Sequence, residues 1–153
     1  MSQAFDQGAK EDFFRAWKAL TEPAGEFMTH DFSAKKLEFN LRIYFVIFIH
    51  HPHNSAQKRQ KSEKELKKEQ NDFKLYLDTK GAELSRTSEF LAFYALPYIQ
   101  NPKEHPSFAH LYTMDWVNQL KQKLKVFIHD HAIDLGLPHM AQHSQLYSLF
   151  LAG

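Results

Sequence analysis

Apolar residues along the chain recur mostly at helical intervals. Phe13, Phe14, Trp17 and Leu20 stand three and four apart among Lys, Glu, Asp and Arg, so residues 9–20 are predicted to form an amphipathic helix. Thr21-Glu22-Pro23 and Gly25 mark its end. From Ser33 to His51 two periods compete. Leu37, Phe39, Leu41 and Ile43 alternate with Glu38, Asn40 and Arg42 as in a half-buried strand, while Leu37, Leu41, Tyr44 and Phe48 also form a helical stripe. The stretch runs without Gly or Pro for longer than most strands, and Ser33 can cap a helix, so it reads as a buried helix.

His51-Pro52-His53-Asn54-Ser55 reads as a turn ending in an N-cap, and nothing from Ala56 to Lys80 breaks a helix until Gly81, placed as its C′ residue. The first half of this long helix is Lys- and Glu-rich with Leu66 alone to bury, and is expected to stand in solvent; Phe73, Tyr76 and Leu77 in the second half are expected to pack. Thr87-Ser88-Glu89 opens a predicted helix over Phe90–Ala95 that stops at Leu96-Pro97. A crossing stiffened by Pro97, Pro102 and Pro106 follows and should lie on the core through Tyr98 and Ile99. Helix is predicted again from Pro106 to Tyr112, and from Asp115 as N-cap to about Ala132, with Trp116, Leu120, Leu124, Phe127 and Ile128 on one face. Gly136 ends that element, and Pro138 opens a last helix over 138–152 carrying Met140, Leu146, Tyr147 and Phe150. It belongs either to this core or to whatever follows in the chain. The expected fold is all-α: a single helical domain over 1–153, its core about 4–132, of six or seven helices with one long, partly projecting helix and a Pro-rich crossing.

Composition narrows the function. At 153 residues, 43% hydrophobic and 24% charged, the chain suits one globular domain, and 14 Phe supply an aromatic core with some surface left for an interface. Nineteen basic against 18 acidic residues leave a net charge of +1, too little to attract nucleic acid or an anionic membrane over distance, although ten His would add charge below a pH of roughly 6.5. Cys is absent, which removes disulfides and thiolate chemistry and fits a reducing compartment. Met1–Lys10 has no apolar signal core, and the longest apolar run, Ile43–Ile49, is far short of the roughly 20 residues a bilayer needs. A soluble protein is expected, without membrane insertion.

Few residues suggest chemistry. His139 and His143 share a helical face at i, i+4, and His50, His51 and His53 cluster, but a closed metal site wants three or four oriented ligands; no metal and no cofactor are expected. His129-Asp130 resembles the doublet of metal-dependent phosphohydrolases, with His105 or His110 as the upstream ligand. Asp134, one turn away, is too near to serve as the distant downstream ligand such sites use, and a solvated helix end is the preferred reading. The glycines are isolated, so no phosphate loop or nucleophile elbow exists. The Lys run at 58–68 is interleaved with Glu, as in an ordinary solvated helix. No catalytic residue is assigned.

The stretch EFLAFYALPYIQNPKEHPSFAHLYTMDW (89–116), with KLEFNLRIYF, FKLYLDTKGAELS, AFDQG and FFRAW upstream, resembles the N-terminal region of the LisH- and armadillo-repeat-containing proteins of basal bodies and ciliary tips, over roughly residues 4–128. More loosely, Phe93, Leu96-Pro97, Pro102, Pro106-Ser107-Phe108 and Trp116 are similar to the N-terminal region of an endosomal WD-repeat protein. The first resemblance implies a non-enzymatic scaffold in cilium assembly and stability, located in the cytoplasm, cytoskeleton, basal body and ciliary tip. It implies protein partners such as a TOG-domain microtubule protein, and homodimerisation through a LisH element that would precede residue 1. Phe93, Tyr94, Tyr98, Phe108 and Trp116 are the candidate interaction residues, with packing of the crossing onto the core as their preferred role.

Overall fold

A computed structural model describes residues 4–21, 32–48 and 62–134. In chain order they form α1 (Ala4–Gln7), α2 (Lys10–Thr21), α3 (Phe32–Ile47), α4 (Glu63–Asp78), α5 (Ala82–Ser85), 3₁₀ turns at Leu91–Tyr94, Leu96–Tyr98, Pro102–Glu104 and Ala109–Tyr112, and α6 (Met114–Asp134). No strand occurs among the described residues, and the all-α class holds. The turn at 51–55, the start of the long helix at Ala56, the C-terminal helix over 138–152, and His50, His51, His53, His139 and His143 lie outside the described residues.

The ambiguity over Ser33–His51 resolves as helix, and the core explains why the sequence imitated a strand. Helix α3 is buried on two sides. Leu37, Leu41, Tyr44, Phe45 and Phe48 pack with Phe13, Trp17 and Leu20 of α2 and Leu120, Leu124, Phe127 and Ile128 of α6. Phe39, Ile43 and Ile47 face a second cluster holding Phe73, Tyr76 and Leu77 of α4 with Phe90, Phe93, Phe108 and Leu111. Two helical stripes offset by two residues superimpose as alternation.

Helix α1 was not foreseen. It drives Phe5 fully into the first cluster, stacked on Tyr44 with ring centroids 4.2 Å apart. Gly8 makes the turn into α2 at φ 67°, the left-handed region that glycine enters without steric cost, and a Cβ there would stand 2.4 Å from Cδ1 of Phe48.

Helix α4 starts under Ser62, whose Oγ accepts from the Glu65 amide at 3.2 Å. Residues 63–68 are exposed apart from half-buried Leu66, while Phe73, Tyr76 and Leu77 are buried, which is the division the charge pattern predicts. Gly81 differs from its predicted C′ role. It lies beyond the Thr79 C-cap with φ −90°, its amide donating to the Tyr76 carbonyl at 2.8 Å; glycine is suited here because a Cβ would meet Cε2 of Tyr76 at 2.6 Å.

The two short α-helices predicted over Phe90–Ala95 and Pro106–Tyr112 are instead 3₁₀ turns, and Pro97 does not stop the winding but sits inside the turn Leu96–Tyr98. The reason lies in the spacing. Phe90, Phe93 and Leu96, like Phe108 and Leu111, are three apart and all buried, and a 3₁₀ helix eclipses side chains at i and i+3 into one ridge. Pro97 and Pro102 occupy first-turn positions where no amide hydrogen is needed. Helix α6 is capped by Thr113, whose Oγ1 accepts from the Trp116 amide at 3.2 Å, so Asp115 falls in the first turn rather than at the cap, where its charge still favours the helix N-terminus.

Candidate protein-interaction surface

The five aromatics singled out in the crossing do not form one exposed groove. Phe93 and Phe108 are buried in the second cluster with ring centroids 5.6 Å apart. Half-buried Tyr94 is held by its hydroxyl, which accepts from Ser85 Oγ at 3.0 Å and donates to the Leu77 carbonyl at 3.3 Å. Trp116 is half-buried where the two clusters meet. Tyr98 alone points outward. It is 73% exposed on the turn Leu96–Tyr98, and the Lys74 ammonium of α4 lies 4.3 Å from its ring centroid, a cation–π contact that orients the ring without covering it. Winding as a 3₁₀ turn explains this: Leu96 faces the core, and Tyr98, two residues on, leaves it.

The scaffold beneath this surface is pinned by polar groups that the alternation hid. Glu38, taken as a polar position between apolar ones, has a side chain only 2% exposed. Its Oε1 accepts from Trp17 Nε1 at 2.7 Å and from Lys80 Nζ at 3.1 Å, and its Oε2 stands 3.9 Å from Arg42 Nε. The Arg42 guanidinium lies over Phe14 at 3.6 Å and near Tyr76 at 5.1 Å. One carboxylate thus ties α2, α3 and the turn after α4 together. The Tyr44 hydroxyl donates to the Phe5 carbonyl at 2.8 Å, and burial, with the Asp6 charge, raises its pKa well above the ordinary phenol value. Burial also pushes the Tyr112 phenol up to about 12. Near the start of α2, Lys10 Nζ lies 3.1 Å from Asp72 and 3.2 Å from Glu69 of α4. Burial works to raise the Asp72 pKa, but hydrogen bonds and charge from Lys10 and Lys68 outweigh it and hold the carboxyl below its usual range.

A groove of about 600 Å³ runs between α3 and α6. Leu37 and Phe127 form its apolar floor beside Val126, which is 51% exposed. Lys36 and Glu89, both lining it, form an ion pair at 3.1 Å.

Residues with possible chemistry stay apart. His129 and Asp130 are exposed near the end of α6. The His105 ring lies tilted against Phe108, with centroids 5.2 Å apart, and its Nδ1 accepts from the Ser107 amide at 3.1 Å. Among the described residues no three His, Asp or Glu side chains converge as a metal site would require. No described helix is long and apolar enough to cross a membrane.

Residues 1–133 match the family described as Armc9, CTLH-like domain, and the chain belongs to that family of protein-interaction domains. It is similar to the LisH domain-containing protein ARMC9 of Bos taurus (43% identical over 126 residues), Homo sapiens (41% over 125) and Danio rerio (37% over 126), each time over 82% of this chain. These alignments cover 18%, 14% and 15% of the respective relatives, so the chain spans less than a fifth of their length. No solved structure matches.

Proposed function

We propose that this domain is a protein-binding part of a ciliary basal-body and ciliary-tip scaffold that acts in cilium assembly and stability, and that its partner contact centres on Tyr98. Family membership supports the scaffold reading. The observation that carries the contact is the exposure of Tyr98: an oriented aromatic on a turn stiffened by Pro97 is a low-entropy anchor for a partner, since little freedom is lost when it binds. A ring already paired with an ammonium suits a partner face carrying apolar groups and carboxylates, and a TOG-domain microtubule protein is the partner class to test first.

The test is titration calorimetry of the 153-residue chain against a purified ciliary TOG-domain protein, with the fluorescently tagged chain imaged in ciliated cells. Binding that weakens at least about tenfold in Tyr98→Ala, the effect of losing about 1.4 kcal/mol, with signal at basal bodies and tips, is the expected result. Signal on endosomes would transfer the domain to the endosomal scaffold reading. Binding equal in wild type and Tyr98→Ala would remove Tyr98 from the contact.

A further inference from the structure

We infer that two copies of this chain pair antiparallel through α6, about a two-fold axis between Val126 and Phe127, each copy's α6 lying over the other's groove between α3 and α6. Val126 is half in solvent above a floor of Leu37 and Phe127, an apolar strip that gains by leaving water. The charges around the strip say what covers it.

Four charged side chains line the groove, two of each sign: Lys36, Lys123, Glu89 and Asp130. A strongly acidic or strongly basic partner would meet like charge here as often as opposite charge. Lys36 and Glu89 satisfy each other at 3.1 Å. Lys123 and Asp130 are both exposed, and neither has an ion-pair partner among the described residues.

The placement of these two charges is that of a self-complementary face. Lys123, Val126 and Asp130 stand three and four apart, hence on one side of α6. Seven residues at about 1.5 Å each set Lys123 and Asp130 about 10 Å apart along the helix, too far for a direct pair within it. They also flank the point between Val126 and Phe127 symmetrically. A two-fold axis there brings Lys123 of one copy opposite Asp130 of the other, and the same operation makes the reverse pair. Val126 meets its counterpart beside the axis, so one arrangement covers the apolar strip and pairs both charges. An interface of two rim charge pairs and one apolar strip is small, and the pairing is concentration-dependent rather than permanent. It leaves Tyr98 free, since Tyr98 is no part of the groove lining.

Charge reversal in separate chains tests this register. Lys123→Glu and Asp130→Lys, both at exposed positions away from the core, are compared with the wild-type chain by sedimentation velocity over a dilution series. Wild type should show a monomer–dimer equilibrium. Each variant alone should dimerise at least about tenfold more weakly, because both of its cross pairs become repulsive. An equimolar mixture of the two variants should recover the wild-type constant, because in the mixed dimer both cross pairs join opposite charges again. A wild-type chain that stays monomeric up to about 1 mM would overturn the inference. A dimer that neither reversal weakens would overturn it in favour of another surface. A mixture no tighter than the single variants would overturn it by showing that the two charges do not meet across chains.

Discussion

Replacing Glu38 by Gln isolates the charge of a carboxylate that joins three elements. The amide oxygen can still accept from Trp17 Nε1 and Lys80 Nζ, now at 2.7 and 3.1 Å, so shape and hydrogen-bond count are nearly preserved. What changes is strength: a hydrogen bond involving an ionised group contributes about 1.5–3 kcal/mol, a neutral one about 0.5–1.5. The Trp17 bond becomes neutral and loses about 1–1.5 kcal/mol, while the Lys80 bond keeps its charged donor and loses only the ion-pair attraction, about 1 kcal/mol more. The amide would also turn a donor toward Arg42 Nε, 3.9 Å away and already without a hydrogen-bond partner. Partial exposure of the Lys80 and Arg42 side chains, 41% and 26%, lets both cations recover hydration, which brings the expected loss to roughly 2 kcal/mol. Urea unfolding followed by Trp fluorescence reads this directly: with a slope of about 1–3 kcal/mol per molar, the midpoint should fall by on the order of 1 M. A cycle with Trp17→Phe should show a coupling of at least about 0.5 kcal/mol. A loss for Glu38→Gln within about 0.5 kcal/mol, the range of ordinary surface substitutions, would refute the reasoning.

The two glycines that meet aromatic rings should separate on substitution. Gly8→Ala adds a left-handed backbone cost of about 1–2 kcal/mol to overpacking of about 1–3 against Phe48, whereas Gly81→Ala at φ −90° meets only the overpacking against Tyr76. Thermal unfolding should therefore rank Gly8→Ala below Gly81→Ala, and equal melting temperatures would sink the left-handed argument. The depressed pKa of Asp72 gives stability that is present above its unfolded value of about 3.9 and lost as pH falls through the lower folded value. Asp72→Asn should flatten the acid limb of stability measured between about pH 2 and 6, and an unchanged limb would show that Lys10 and Lys68 do not hold this carboxyl.

Legibility in the sequence followed what local periodicity can encode. Helix α2 and the exposed-then-buried division of α4 were readable because each has one apolar stripe and one solvent face. Helix α3 was ambiguous because burial on two sides overlays two stripes, and the same overlay disguised Glu38 as a surface residue. A polar residue between two apolar stripes, with Trp17 and Arg42 available to it, is the signal that was there to find. In the crossing, three-residue spacing of Phe90, Phe93 and Leu96 signalled 3₁₀ winding that a search at 3.6 misses. Of the five aromatics, the sequence did not distinguish Tyr98 from the rest, since outward direction depends on the winding of the turn that carries it. Phe5 escaped notice because its short helix is held by Gly8 and distant partners rather than by its own pattern.

Because α3 supplies one wall to each of the two clusters, neither has an independent existence. Removing the α4 and 3₁₀ side would strip Phe39, Ile43 and Ile47 of cover while Leu41 and Tyr44 of the same helix remained packed, and the converse holds for the α2 and α6 side. The described residues thus form one cooperative unit with a shared partition. A substitution on α3 therefore bears on both clusters at once, through a single rod of about four turns.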